Sequence, residues 1–280
     1  MSGTLYLVGT PIGNLGDLSP RAQDTLAQCD FIAAEDTRVT LKLLNRFGIK
    51  KPLVSYYEHN RAQSGEKILA RLLAGESCAL VTDAGMPAIS DPGEDIVRLC
   101  AEHGVPVTAV PGPSAVVTAL ALGALGTQRF CFEGFLSTSR RSRTEHLESL
   151  RGEKRTMVFY EAPHKLKKTL ADMAAYFGGE RRISLCRELT KLHEEVWRTT
   201  IAEAAGRYEA DPPRGEFVLV VEGAPDDVPG SAASEAGALE LVARYRAAGE
   251  SLKAACRRAA EECGVSKNEL YSRWLSEKGE

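Results

Sequence analysis

Short apolar runs recur along the first half of the chain, at Leu5–Val8, Phe31–Ala34, Leu53–Tyr56, Ala79–Thr82 and Val107–Val110. Each has the length and composition of a buried strand. The intervals between them carry helical patterns. Arg61–Leu73 and Ile96–Glu102 place apolar residues at helical spacing, which predicts amphipathic helices. Ser19-Pro20 and Asp91-Pro92 each offer an N-cap side chain ahead of a proline at the first helical position. Strand–helix alternation of this kind predicts a mostly parallel sheet covered on both faces. Ligands in such sheets bind beyond the carboxyl ends of the strands.

The second half reads differently. Strands are predicted at Phe130–Glu133, Met157–Tyr160, Ile183–Arg187, Glu194–Thr199 and Phe217–Glu222, with helices near 142–150, 165–177 and 201–208. The last three strands lie close together, so a mixed sheet is expected. Residues 224–235, rich in Pro, Asp, Gly and Ser, read as a linker. In the tail, Leu239, Val242 and Tyr245 share one helical face, and Leu252, Ala255, Cys256, Ala259 and Cys263 share another. Gly264 is placed to end the second of these helices, and Ser266-Lys267-Asn268-Glu269 forms a capping box opening a third. That outline is helix-turn-helix-like. The predicted organisation is an α/β domain over 1–115, a second α/β domain over 116–223, the linker, and a small helical tail over 236–280.

Composition narrows the class. The chain has 280 residues, 44% hydrophobic and 26% charged, ordinary for a soluble globular protein. No apolar run approaches the roughly 20 residues needed to cross a bilayer, and Met1-Ser2-Gly3-Thr4 lacks the basic segment of a secretory signal. Seven cysteines, an odd number without close pairs, argue for a reducing compartment, so a cytoplasmic protein is expected. Neither C-x-x-C nor clustered histidines occur, so no metal is expected. Net charge is −3, yet Ser137–Thr200 holds 14 basic against 9 acidic residues. That surplus reads either as a phosphate-facing region or as an Arg-rich solvated face.

Chemistry concentrates in three turns that follow strands. Gly9-Thr10-Pro11-Ile12-Gly13-Asn14-Leu15-Gly16 invites a dinucleotide reading, with Glu35-Asp36 about 20 residues on. The glycine spacing is wrong for that motif, and Pro11 removes an N–H where a pyrophosphate cradle needs one. The second turn, Thr82–Gly93, opens with a carboxylate and continues through small residues and prolines. It is either a tight connection or an accessible backbone surface for a cofactor bearing adenine, ribose and a charged amino-acid end. Val110-Pro111-Gly112-Pro113-Ser114-Ala115 again follows a strand, with Ser114 placed to cap a helix.

Together with Ala34–Arg38, Phe132–Leu136, Phe159–His164, Cys186–Lys191 and Gly215–Phe217, these turns closely resemble the tetrapyrrole methylase superfamily, from about Thr4 to Glu222. Within it they look like a bacterial branch that methylates the ribose 2′-oxygen of a cytidine in 16S ribosomal RNA. The resemblance implies a two-domain fold with S-adenosylmethionine in the cleft between domains, and commonly a homodimer. By position, Pro11, Asp83, Gly85, Met86, Ile89, Ser114 and Ala115 would line the cofactor, with Leu136, Ala162 and Leu189 closing over it. Glu35, Asp36, Glu161 and Glu188 are the candidate general bases. Arg38, Arg140, Arg141, Arg143, Arg187 and Lys191 are the candidate RNA contacts, with Arg38, Arg187 and Lys191 serving equally to orient the acids. His164 reads as a base or, better, as a structural or substrate-side residue, and Tyr56, Tyr57 and Tyr160 as core or cleft-wall packing or as stacking platforms. Two rival functions stay open, a corrin or porphyrin methyltransferase and a non-enzymatic ribosome-binding factor.

Overall fold

The computed structural model describes residues 2–225, 232–263 and 265–278. They fall into two compact units, Met1–Gly223 and Ala224–Glu280. In the first unit, β1 (Leu5–Val8), β2 (Phe31–Ala34), β3 (Leu53–Ser55), β4 (Cys78–Val81) and β5 (Val107–Val110) form a sheet in the order β3-β2-β4-β1-β5. All four pairings are parallel. Side chains alternate between its faces. Leu5, Phe31, Ala33 and Leu80 bury against Ile68 and Leu72 of α3 (Arg61–Leu73) and Ile96 of α4 (Glu94–Glu102). Val8, Ile32, Ala34 and Val81 bury against Leu26 of α1 (Pro20–Gln28) and Leu44 of α2 (Thr37–Arg46). Burial on both faces explains why β2 and β4 are unbroken apolar runs.

The chain leaves β5 through α5 (Ala115–Leu122) and enters a second sheet of β6 (Phe130–Phe135), β7 (Thr156–Glu161), β8 (Arg182–Arg187), β9 (Glu195–Thr200) and β10 (Phe217–Val221). Its order is β6-β7-β10-β8-β9. Only β6 and β7 run parallel, and the other pairings are antiparallel, so the sheet is mixed as expected. The last strand in sequence sits at the centre and is buried throughout. Met157, Phe159, Leu185, Leu219 and Val221 face α6 (Arg140–Ser149), α7 (Pro163–Phe177) and α8 (Ile201–Ala210). Val158, Cys186, Val218 and Val220 face Val116, Ala119 and Leu120 of α5.

Local signals set most boundaries. Ser19 Oγ accepts the Ala22 amide at 3.1 Å with Pro20 in the first turn. Asp91-Pro92 does not start a helix, contrary to expectation. Helix α4 begins at Glu94 with Gly93 at the N-cap position, where φ is +156° and a Cβ would lie 2.8 Å from Ala88. Ser114 does occupy the N-cap position of α5, but its hydroxyl makes no capping bond.

The second unit comprises α9 (Ala232–Ala247), α10 (Leu252–Cys263) and α11 (Lys267–Lys278). Val242, Tyr245, Ala255, Cys256, Ala259 and Leu270 form its core. The Tyr245 hydroxyl donates to Glu262 at 2.6 Å, and the Arg258 guanidinium stacks 4.1 Å over the same ring. Of the predicted capping box, the serine half appears, as a long contact of 3.5 Å from the Glu269 amide to Ser266 Oγ. Helix α9 already begins inside the stretch read as a linker. Residues 226–231 of that stretch, and Gly264, lie outside the described residues.

Candidate active site

The three turns singled out in the sequence meet at the carboxyl end of the parallel sheet. Thr10 and Gly85 exchange both backbone hydrogen bonds, at 2.9 and 3.1 Å, and the Thr10 hydroxyl donates to the Thr82 carbonyl at 3.1 Å. The Gly9 amide donates to Val110 at 3.1 Å. Gly9 and Gly112 approach so closely that a Cβ on Gly9 would lie 2.7 Å from the Gly112 Cα. Glycine is required at both positions because the backbones touch. A Cβ on Gly13 would fall 2.5 Å from Lys191 and 2.8 Å from Thr190, so the first turn also packs against the loop after β8.

These turns and the edge of the mixed sheet enclose a cavity of about 580 Å³, within the range of small-molecule sites. From the parallel sheet come Asp83, Gly85, Met86, Ile89, Ser114 and Ala115. From the mixed sheet come Ala162 and Leu189. Pro11 is not in the wall, although its neighbour Ile12 is. Leu136 is buried in the core of the mixed sheet rather than in the wall.

The four carboxylates named from sequence part company. Glu35 lines the cavity and accepts the Thr82 hydroxyl at 2.7 Å. Glu161 also lines it, but both oxygens are occupied, Oε1 by the Ala162 amide at 2.8 Å and Oε2 by the Thr169 hydroxyl. Asp36 does not line it. It caps α2 and pairs with Arg38 at 2.6 Å, whose guanidinium holds its carboxyl well below the usual range. Glu188 is likewise outside the wall, in a left-handed backbone conformation with φ +52°. Its Oε1 receives the Lys191 ammonium and the Glu216 amide, both at 2.9 Å, and these bonds outweigh burial to lower its pKa.

Lys191 reaches the cavity wall but spends its charge on Glu188 and, at 2.8 Å, on Glu216. Arg38, Arg140 and Arg141 are solvent-exposed, Arg141 paired with Glu145 at 2.8 Å. Arg187 pairs with Glu195 at 3.0 Å. Arg143 corrects the sequence reading. It is 6% exposed, with Nε on Asp172 at 2.6 Å and Nη2 on Thr169 at 2.8 Å, so it faces the core and not a phosphate. The helical period of α6 turns Arg143 inward on the face that carries Leu147.

Asp91 was read as a helix cap and instead lines the cavity. Burial, then the nearby Glu35 and Asp83 carboxylates, push its pKa to about 6 against a hydrogen bond from Thr82. Burial also raises Asp83, aided by Glu35 and Asp36 and opposed by the Asp36 amide. Tyr160 lines the facing wall, its phenol pushed up by burial and by Asp91. Ile12, Phe135 and Glu216 are wall residues that sequence reasoning did not name. They adjoin or lie within motifs it did quote. Cys186 lines the cavity with its thiol raised by burial to about 11, which keeps it protonated. Among the described residues, no group of three or more His, Cys, Asp or Glu is arranged to hold a metal ion, and no helix is long and apolar enough to cross a membrane.

Comparison with known proteins agrees with this architecture. The family described as Tetrapyrrole (Corrin/Porphyrin) Methylases matches residues 4–205. A Synechocystis protein named Ribosomal RNA small subunit methyltransferase I is 47% identical over 96% of each chain. Its namesake from Halalkalibacterium halodurans is 46% identical over 96% of this chain and 94% of its own. The solved uroporphyrin-III-C-methyltransferase of Thermus thermophilus shares the fold, with a TM-score of 0.55 at 21% identity over 78% of this chain and 94% of that one. The turns, the paired sheets and the extent of these matches place the chain in one family, and it belongs to the tetrapyrrole methylases.

Proposed function

We propose that this protein transfers a methyl group from S-adenosylmethionine to the ribose 2′-hydroxyl of a cytidine in 16S ribosomal RNA of the small ribosomal subunit. The observation that carries the reading is the 47% identity, across nearly the whole chain, to a protein named as a small-subunit ribosomal RNA methyltransferase. The cavity fits the donor. Its carboxylates Glu35 and Asp83 suit a sulfonium and an ammonium group, and Ile12, Met86 and Leu189 supply apolar wall for the rest.

When bound, the donor supplies an electrophilic methyl group and a neutral thioether leaving group, so the protein must mainly align the reactants and accept one proton. Glu161 serves alignment, because its bonds to the Ala162 amide and to Thr169 fix the start of α7 in the wall. The Lys191–Glu188–Glu216 cluster fixes the opposite loop. Of the candidate phosphate contacts, Arg38, Arg140 and Arg141 are the exposed ones, Arg38 paired with Asp36 and Arg141 with Glu145.

Labelled S-adenosylmethionine, incubated with small subunits lacking the modification, tests the reading; label is expected in the RNA, and its absence would end it. A corrin or porphyrin acceptor has no specific support, since likeness at 21% identity speaks to fold alone. Label in the RNA would likewise exclude a non-enzymatic factor. The domain division at residue 115, a homodimer and a cytoplasmic location are part of the proposal. The free cysteines suit a reducing compartment, and sedimentation velocity tests the dimer.

A further inference from the structure

Five carboxylates within or beside the cavity are tied up. Asp36 is held by Arg38, Glu161 by an amide and a hydroxyl, Glu188 by Lys191 and the Glu216 amide, Glu216 by Lys191, and Glu35 by Thr82. Asp83 takes the Asp36 amide at 3.2 Å. Asp91 lines the cavity with neither a cation nor a backbone amide among its neighbours: the Thr82 hydroxyl it meets also serves Glu35, and the others are Glu35 after β2, Asp83 after β4 and the Tyr160 phenol of β7. His164, Cys186 and Lys191 are the other titratable wall residues, Lys191 already neutralised by its two partners.

The backbone is built to put it there. Ala88 and Ser90 adopt left-handed conformations with φ of +67° and +64°, unusual for residues bearing a Cβ. The turn then packs Ala88 against Gly93, where no Cβ fits. Helix α4 therefore starts beyond Asp91, whose carboxylate is released from the capping duty that an Asp-Pro pair normally performs. A strained, closely packed turn that delivers a carboxylate without a counter-ion into a cavity is an arrangement suited to proton transfer.

We propose that Asp91 is the general base of the methyl transfer, an inference that rests on the RNA methyltransferase reading above. The acceptor O–H bond breaks with its proton passing to an Asp91 carboxylate oxygen. The oxygen's electron pair forms the new O–CH₃ bond. The C–S bond of the sulfonium donor breaks with its electrons staying on sulfur.

The experiment compares wild type with Asp91→Asn in single-turnover transfer at saturating donor and small subunit. It is run with calorimetry of S-adenosylmethionine binding and filter binding of the subunit. The wild-type rate is expected to fall as pH drops through about 6, because the base must be ionised. Asn is expected to slow transfer by roughly 10²–10⁴-fold and to abolish that acidic limb, with both affinities changed less than about threefold. An Asn variant retaining a tenth or more of the rate would overturn the inference. So would one whose donor affinity falls in step with the rate, since Asp91 would then be a binding group. Wild type without transfer at any pH would overturn the parent reading and this one together, whereas an active Asn variant sinks this one alone.

Discussion

Arg143 Nε lies 2.6 Å from Asp172 Oδ2, a buried cation on α6 joined to a carboxylate on α7. Through Nη2 the same guanidinium holds Thr169, whose hydroxyl in turn holds Glu161 at the cavity wall. Arg143→Ala leaves Asp172 with Lys168 alone and Thr169 without its donor. Breaking a buried pair costs about 3–5 kcal/mol. Urea denaturation is expected to show a loss at the low end of that range, since Asp172 is partly exposed, with Arg143→Lys recovering only part of it.

Arg140 and Arg141, three and two residues earlier on α6, should behave in the opposite way. Both are exposed. Replacing them with alanine should leave stability within about 0.5 kcal/mol. If they meet phosphate, the slope of log affinity for the small subunit against log salt falls by about two. An unchanged slope removes them from the interface.

Gly9→Ala tests the contact between turns. The new methyl would sit 2.7 Å from both Gly112 Cα and Met86 Sδ. Backbone cannot yield there, so a loss of about 1–3 kcal/mol is expected. Donor binding, read by calorimetry, should weaken with it because Met86 lines the cavity.

Asp91 makes folding stability depend on pH. Its folded pKa, about 6, lies above the ordinary carboxylate value. A raised carboxyl pKa means the folded state holds the proton more tightly. The resulting stability is fully present below the unfolded pKa and is lost as pH rises through about 6. Asp91→Asn should therefore raise the melting temperature above pH 7, by the equivalent of about 1 kcal/mol after allowance for solvent screening. The gain should vanish near pH 4. A variant no more stable than wild type at pH 8 refutes the desolvated carboxylate.

Glu188 titrates the other way. Its pKa is lowered by the Lys191 ammonium and the Glu216 amide acting against burial. The pair's contribution is thus present above the unfolded carboxyl pKa and disappears as pH falls through the lower folded value. Lys191→Met should destabilise the protein at pH 7 more than at pH 3, measurable in paired thermal melts.

The sequence by itself determined the layers. Unbroken apolar runs such as Phe31–Ala34 and Ala79–Thr82 have one low-energy home, a strand buried on both faces, and they appear as β2 and β4 within a residue of expectation. Turns rich in Pro and Gly pointed to the sheet's carboxyl end because few other backbones tolerate them. Tertiary structure decided what each polar side chain does. Arg143 looks like its neighbours Arg140 and Arg141 in sequence, but helix period and the position of Asp172 turn it inward. Asp91 looks like a cap, but the packing of Gly93 on Ala88 moves the helix start and leaves its carboxylate facing the cavity. Hydrophobic patterning is local and repeats along the chain. The partner of a charge is fixed only when distant elements meet, 29 residues apart for Arg143 and Asp172 and 28 for Glu188 and Glu216.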